Sequence, residues 1–181
     1  LWNTYFPPFK AAIDAGAGNV MTAYMDLNGI PATGNGWLFN DVLRETWGFD
    51  GFVVSDANAV KNLETHGFAR DQADAGARAL IAGCDMEMAI SDAAYGHLED
   101  ALEAGQVDEV TLDASVRRVL EAKFRMGLFD DPFVDEERAR EVLGDPIHRE
   151  EARKAAERAA VLLENDVLLP LDADNLEKVA V

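Results

Sequence analysis

The 181-residue chain is half apolar (49%) and carries 34 acidic against 16 basic side chains, a formal charge of −18 at pH 7. Such a surface repels phosphate backbones, which excludes nucleic acid as a natural partner, and no apolar run approaches the ~20 residues that cross a bilayer. The length suits one domain, or one domain with part of another.

Only five of the sixteen bases are lysine, so an ordinary acidic enzyme surface and an adaptation to high salt both stay open. Cys84 has no partner for a disulfide within the chain, and its apolar setting reads as a buried structural thiol. The chain starts at Leu1 without Met and ends at Val181 in strand-like residues. It therefore reads as a piece of a longer polypeptide, with the native N-terminus and the cellular address outside it.

In chain order, Pro8 suits the first turn of a helix to about Ala15, which Gly16 and Gly18 end. A short strand follows over Asn19–Tyr24. The Gly- and Pro-rich run from Asn28 to Gly36 reads as a loop whose polar groups are candidate substrate contacts. Trp37–Trp47 is helical, since Phe39, Leu43 and Trp47 repeat every four residues. After Gly48 comes Gly51-Phe52-Val53-Val54-Ser55-Asp56, a buried strand. Asp71 caps a helix with Ala73, Ala77, Leu80 and Ile81 on one face, closed by Gly83. Cys84–Met88 is a third strand. Leu98 and Leu102 mark a helix ending at Gly105, and Thr111 caps a longer one bearing Leu112, Val116, Val119 and Leu120. From Gly127 to Pro146 no period is sustained, which reads as a linker. Asp145-Pro146 opens a helix to about Glu164, and Lys178–Val181 starts a strand.

The three strands begin roughly 32 residues apart, each followed by a helix, close to the ~31 of an eightfold strand–helix repeat. The expected fold class is α/β: the C-terminal part of a (β/α)8 TIM-like barrel over 1–128, a linker over 129–147, and the truncated start of a second α/β sandwich domain over 148–181. An open half-barrel leaves strand edges and an apolar face uncovered, so the chain alone should be poorly soluble or unstable.

Chemistry in such a fold sits at the carboxyl ends of the strands. A run as apolar as Phe52–Val54 ending in a carboxylate calls for solvent, a partner or a substrate at that acid. Asp56 is therefore the first candidate catalytic residue. His66, His97 and His148 show no ligand spacing, and no cofactor is expected. Phosphate loops and the Gly-x-Ser-x-Gly elbow are also missing. Sugar chemistry, in which carboxylates do the work, remains.

The residues then carry a resemblance. Gly51–Asp56, preceded by Asp41-Val42-Leu43-Arg44-Glu45-Thr46-Trp47-Gly48-Phe49-Asp50, resembles the nucleophile signature of glycoside hydrolase family 3. Val20–Tyr24 with Asn28–Ala32, Ala82–Met88, Phe124–Phe129 and Val161–Asn165 are similar to the same family, in order along nearly the whole chain, and closest to its bacterial β-glucosidase branch. What the resemblance implies is an exo-acting, retaining β-glycosidase acting on a β-glucoside or oligosaccharide. Asp56 would be the nucleophile, and Met21 and Tyr24 would line the pocket for the terminal sugar. Ala57 stands where the family usually has Trp. The general acid, in most of the family a Glu of the second domain, would lie beyond Val181, so the chain would need the missing parts of its own polypeptide. Glu87, in a buried strand, reads as internally paired. A β-xylosidase of the same family and a non-catalytic sugar-binding relative remain as alternatives. An aldolase-like barrel would want a strand-end Lys, which is not there.

Overall fold

A computed structural model describes residues 1–176 and Lys178; beyond Lys178 itself, the strand expected over 178–181 lies outside the described residues. The chain separates into two compact units, Leu1–Pro132 and Phe133–Val181.

The first unit is built on three parallel segments. β1 (Asn19–Met21) pairs with β4 (Phe52–Val54) in the register Asn19↔Phe52, Val20↔Val53 and Met21↔Val54, and Val54 bridges to Met86 on the other side. β4 is thus central, and helices fill both crossovers. Mixed helix and parallel strand make the fold α/β, and the described residues form no closed barrel. The third strand expected over Cys84–Met88 is reduced to that single bridge. Its ladder is irregular because Val53 O accepts from both Asp85 N and Met86 N, while Val53 N donates to the Asp85 side chain.

Pro7 and Pro8 are tolerated in the first turn of α1 (Phe6–Asp14), which begins earlier than the sequence suggests. Phe6 is buried against Trp2 and Trp47, ring centroids 5.0 and 5.3 Å away and edge-on. The run read as a plain loop holds a hairpin, β2 (Asp26–Leu27) and β3 (Ile30–Pro31). Its two-residue turn has Asn28 at φ 54° and Gly29 at φ 79°, the left-handed pair that Asn-Gly supplies. The Trp37–Thr46 helix is wide, with Trp47 N donating five residues back to Val42 O. It buries Phe39 and Leu43 against Phe49 and Val53.

After β4 come α2 (Asn62–Thr65) and α3 (Gln72–Ala82). Asp71 caps α3 by accepting from Asp74 N, and Gly83 ends it at φ 100°. Ala75 and Ala79 pack with Val60, Leu63 and Cys84, while Ala77 and Leu80 meet Leu98 and Ala101 of α4 (Leu98–Glu103). Small residues on both faces of α3 let it sit between two layers. α5 (Glu109–Arg125) starts before Thr111, because the Asp108 carboxylate accepts from Thr111 N at 2.8 Å and is the actual cap.

In the second unit, α6 (Glu136–Gly144) occupies part of the stretch read as an aperiodic linker. It has no buried residue; the Asp135 cap and pairs such as Arg140–Glu136 and Arg138–Glu141 support it. An apolar period could not reveal a helix made this way. α7 (Pro146–Ala159) begins at the expected Asp145 cap and stops five residues before Glu164.

Candidate functional site

The site is the exit of β4. Ser55 is fully buried: its N donates to Met86 O, its Oγ donates to Asp56 O, and the same Oγ accepts from Met88 N. These bonds fix the chain just before it reaches solvent. Asp56 follows, half-buried, with Oδ1 accepting from Ala57 N at 2.7 Å. Tyr24, at the exit of β1, donates its hydroxyl to Ala57 O at 2.7 Å. The Tyr24 phenol is raised above its ordinary value, first by desolvation and then by the nearby Asp56 carboxylate. The two side chains, 32 residues apart in sequence, are therefore neighbours at one rim.

Two other acids near this sheet are occupied by the structure. Asp85, its side chain without solvent exposure, accepts from Arg44 Nη2 at 2.6 Å and from Val53 N, Ser115 Oγ and Arg118 Nη1, each at 2.8 Å. Burial pulls the Arg44 guanidinium down and the charge on Asp85 partly restores it. Glu87 accepts from Ala94 N and Tyr95 N, at 3.1 and 2.7 Å, holding the start of the short Ala94–His97 turn. Near the rim Lys61 pairs with Asp92 and His66 contacts Asp26, and among the described residues Asp56 sits beside a phenol and backbone groups. A half-buried carboxylate so placed can act as a nucleophile or a base.

Met21 ends β1 opposite Val54, which lies two residues before Asp56 in the chain, and is half-exposed. It also lines an apolar cleft of about 150 Å³ along β1, with Tyr5, Phe6, Phe9 and Trp47. His66 makes a 3.3 Å contact to Asp26, which ties α2 to the hairpin. In the loop expected to offer polar contacts, Thr33 and Asn35 are buried instead. Among the described residues no group of three or more His, Cys, Asp or Glu side chains could hold a metal ion.

Sequence reading missed Thr33, which meets Thr22 Oγ1 at 2.8 Å, and the Arg44–Asp85–Arg118 cluster. A lone Thr in a Gly-rich loop carries no local signal. The partners of Asp85 lie 41 and 33 positions away in sequence, and only a buried acid beside a strand hinted at them.

The chain is similar to known proteins over most of its length. The description "Glycosyl hydrolase family 3 N terminal domain" matches residues 1–122. A periplasmic β-glucosidase of Salmonella typhimurium is 45% identical over 94% of this chain and 23% of its own length. A β-xylosidase of Formosa agariphila is 40% identical over the whole chain and 26% of its own. A β-glucosidase structure from Erythrobacter marinus superposes with a TM-score of 0.80 at 40% identity, covering 92% of this chain and 22% of that one. One from Listeria innocua in complex with glucose gives 0.77 at 42% identity, covering 91% and 23%. The chain thus spans about a quarter of the length of these relatives. With the family's N-terminal domain matched over two thirds of its residues, this chain belongs to glycosyl hydrolase family 3.

Proposed function

We propose that the polypeptide carrying this chain is a retaining, exo-acting β-glucosidase with Asp56 as its nucleophile. The observation that carries the reading is the half-buried Asp56 carboxylate at the exit of the central parallel strand, beside Tyr24 and, among the described residues, outside every salt bridge. The carboxylate attacks the anomeric carbon of a terminal β-D-glucosyl residue as the bond to the leaving oxygen breaks. An acid from elsewhere in the polypeptide protonates that oxygen, and water then cleaves the glycosyl–Asp ester with net retention. Tyr24 and Met21 contact the terminal sugar.

The uncovered apolar cleft beside β1 supports a further strand–helix unit on that edge. On this reading residues 1–128 are the C-terminal part of a (β/α)8 barrel, 129–147 connect onward through α6, and 148–181 open an α/β sandwich domain. The β-xylosidase relative keeps xyloside hydrolysis as a second reading; glucosides and xylosides differ by one hydroxymethyl group.

The test is covalent trapping of the full-length protein with a 2-fluoro glucoside, followed by mapping of the labelled peptide. Label on Asp56, with Asp56→Asn several orders of magnitude slower on an activated glucoside, is the expected result; on the order of 10⁴-fold is the cost where a comparable essential group is removed. A label on another residue, or turnover retained in Asp56→Asn, refutes the assignment. Faster trapping by the 2-fluoro xyloside selects the second reading.

A further inference from the structure

A pair of buried hydroxyls lies directly beneath Asp56. Thr22, at the exit of β1, is 2% exposed, and Thr33, in the short turn after β3, is 1% exposed. Their Oγ1 atoms are 2.8 Å apart. The direction of this bond follows from the neighbours. A carbonyl oxygen only accepts, so Thr33 Oγ1 gives its hydrogen to Ala23 O at 3.2 Å. Thr22 must then be the donor between the two hydroxyls, and a lone pair of Thr22 Oγ1 faces the backbone N–H of Asp56, 3.4 Å away.

We propose that Thr22 and Thr33 are positioning residues for Asp56, forming an ordered relay from Ala23 O through two hydroxyls to the Asp56 N–H. The inference rests on the reading of Asp56 as nucleophile. The relay joins the exits of β1 and β4 on one side of Asp56, and the Tyr24 hydroxyl joins them again at Ala57 O on the other. Between these ties the Asp56 main chain is held, while Oδ1 is engaged by Ala57 N. With backbone and one carboxylate oxygen both fixed, the orientation of the attacking oxygen is set before the sugar arrives. Thr22 N also donates to Val54 O at 2.9 Å, so the relay continues the parallel ladder where β1 itself has ended.

The test uses the full-length protein with Thr33→Val, which keeps the shape and deletes the hydroxyl, and Thr33→Ser, which keeps the hydroxyl. Measured are the maximal rate and the affinity of Asp56 labelling by a 2-fluoro glucoside, thermal melting, and hydrogen exchange of the peptide containing Asp56. Thr33→Val is expected to slow maximal labelling about 10- to 100-fold with inhibitor affinity little changed, as for a displaced reacting group. Thr33→Ser should label close to the wild-type rate, and the Asp56 peptide should exchange faster in the Val variant than in the Ser variant. Wild-type labelling in a folded Thr33→Val protein overturns the proposal, as does Thr33→Ser failing as badly as Thr33→Val. Label outside Asp56 in the wild type would instead refute the nucleophile assignment. Exchange then still reads the relay: equal exchange in the two variants overturns it.

Discussion

Removing the Asp85 carboxylate tests whether the buried cluster under β4 holds this half of the sheet together. Asp85→Ala withdraws the acceptor from four donors at once: Arg44, Val53 N, Ser115 and Arg118. Deleting one partner of a buried charge pair costs about 3–5 kcal/mol, because the remaining charge is left in a poor solvent. Two features move the value within that range. Arg118 is 30% exposed and can turn to water, whereas Arg44 is only 13% exposed. Arg44 keeps its bonds to Gly51 O and Gly83 O, at 3.1 and 3.2 Å. Val53 N and Ser115 Oγ are buried and lose their acceptor outright. The expected loss is about 4 kcal/mol, a large share of the 5–15 kcal/mol typical of a domain. Asp85→Asn, which keeps one acceptor oxygen but turns an amide N–H toward the other donors, should lose about half as much. Urea unfolding of the full-length protein, with hydrogen exchange of the β4 peptide to localise the effect, measures both. Asp113→Ala, on an exposed position of α5, is the control and should stay within about 0.5 kcal/mol. A shift under about 1 kcal/mol for Asp85→Ala would refute the reasoning, since the guanidiniums would then not depend on this acid.

Burial pushes the Cys84 thiol from 9.0 up to about 12. Because the folded value is the higher one, the contribution to stability is complete below about pH 9 and is lost as the pH rises toward 12. Native protein at pH 8.5 should therefore resist iodoacetamide until it unfolds, and alkylation at the rate of a free thiol would contradict this. Gly51→Ala should destabilise by about 2–3 kcal/mol in a denaturant melt, since a Cβ there would sit 2.2 Å from Gly18 O and 2.6 Å from the Phe49 ring. Gly18→Ala, with open space around the same atom, should cost less than about 1 kcal/mol; equal costs would mean that the two strands separate freely at their start.

Some helix ends were legible locally. Asp71 and Gly83 bracket α3, and Asp145-Pro146 opens α7, because caps act within a few residues of their own position. α6 was hidden, since ion pairs and a cap rather than an apolar stripe support it. The hairpin at Asn28-Gly29 had its signal in the dipeptide, but strands of two residues are too short to alternate. The irregular run over Cys84–Met88 reads as a strand by composition; a side chain from within it, Asp85, takes the N–H that a regular ladder would use.

The candidate site divides in the same way. An acid closing an apolar run, the family motif around it and Tyr24 three residues past β1 are all facts of the chain itself, because the parallel pairing that aligns strand exits follows from repeated strand–helix units. Which acids remain available was decided only by the fold. Glu87 reads as internally paired in sequence, and the fold supplies the partners: Glu87 is bonded to backbone N–H groups, while Asp85 is enclosed by two guanidiniums. The order of the Thr22–Thr33 hydroxyls likewise depends on a carbonyl brought beside them by the hairpin. Whether a carboxylate is free depends on how many donors surround it, and donors gathered from distant segments exist only after those segments have packed.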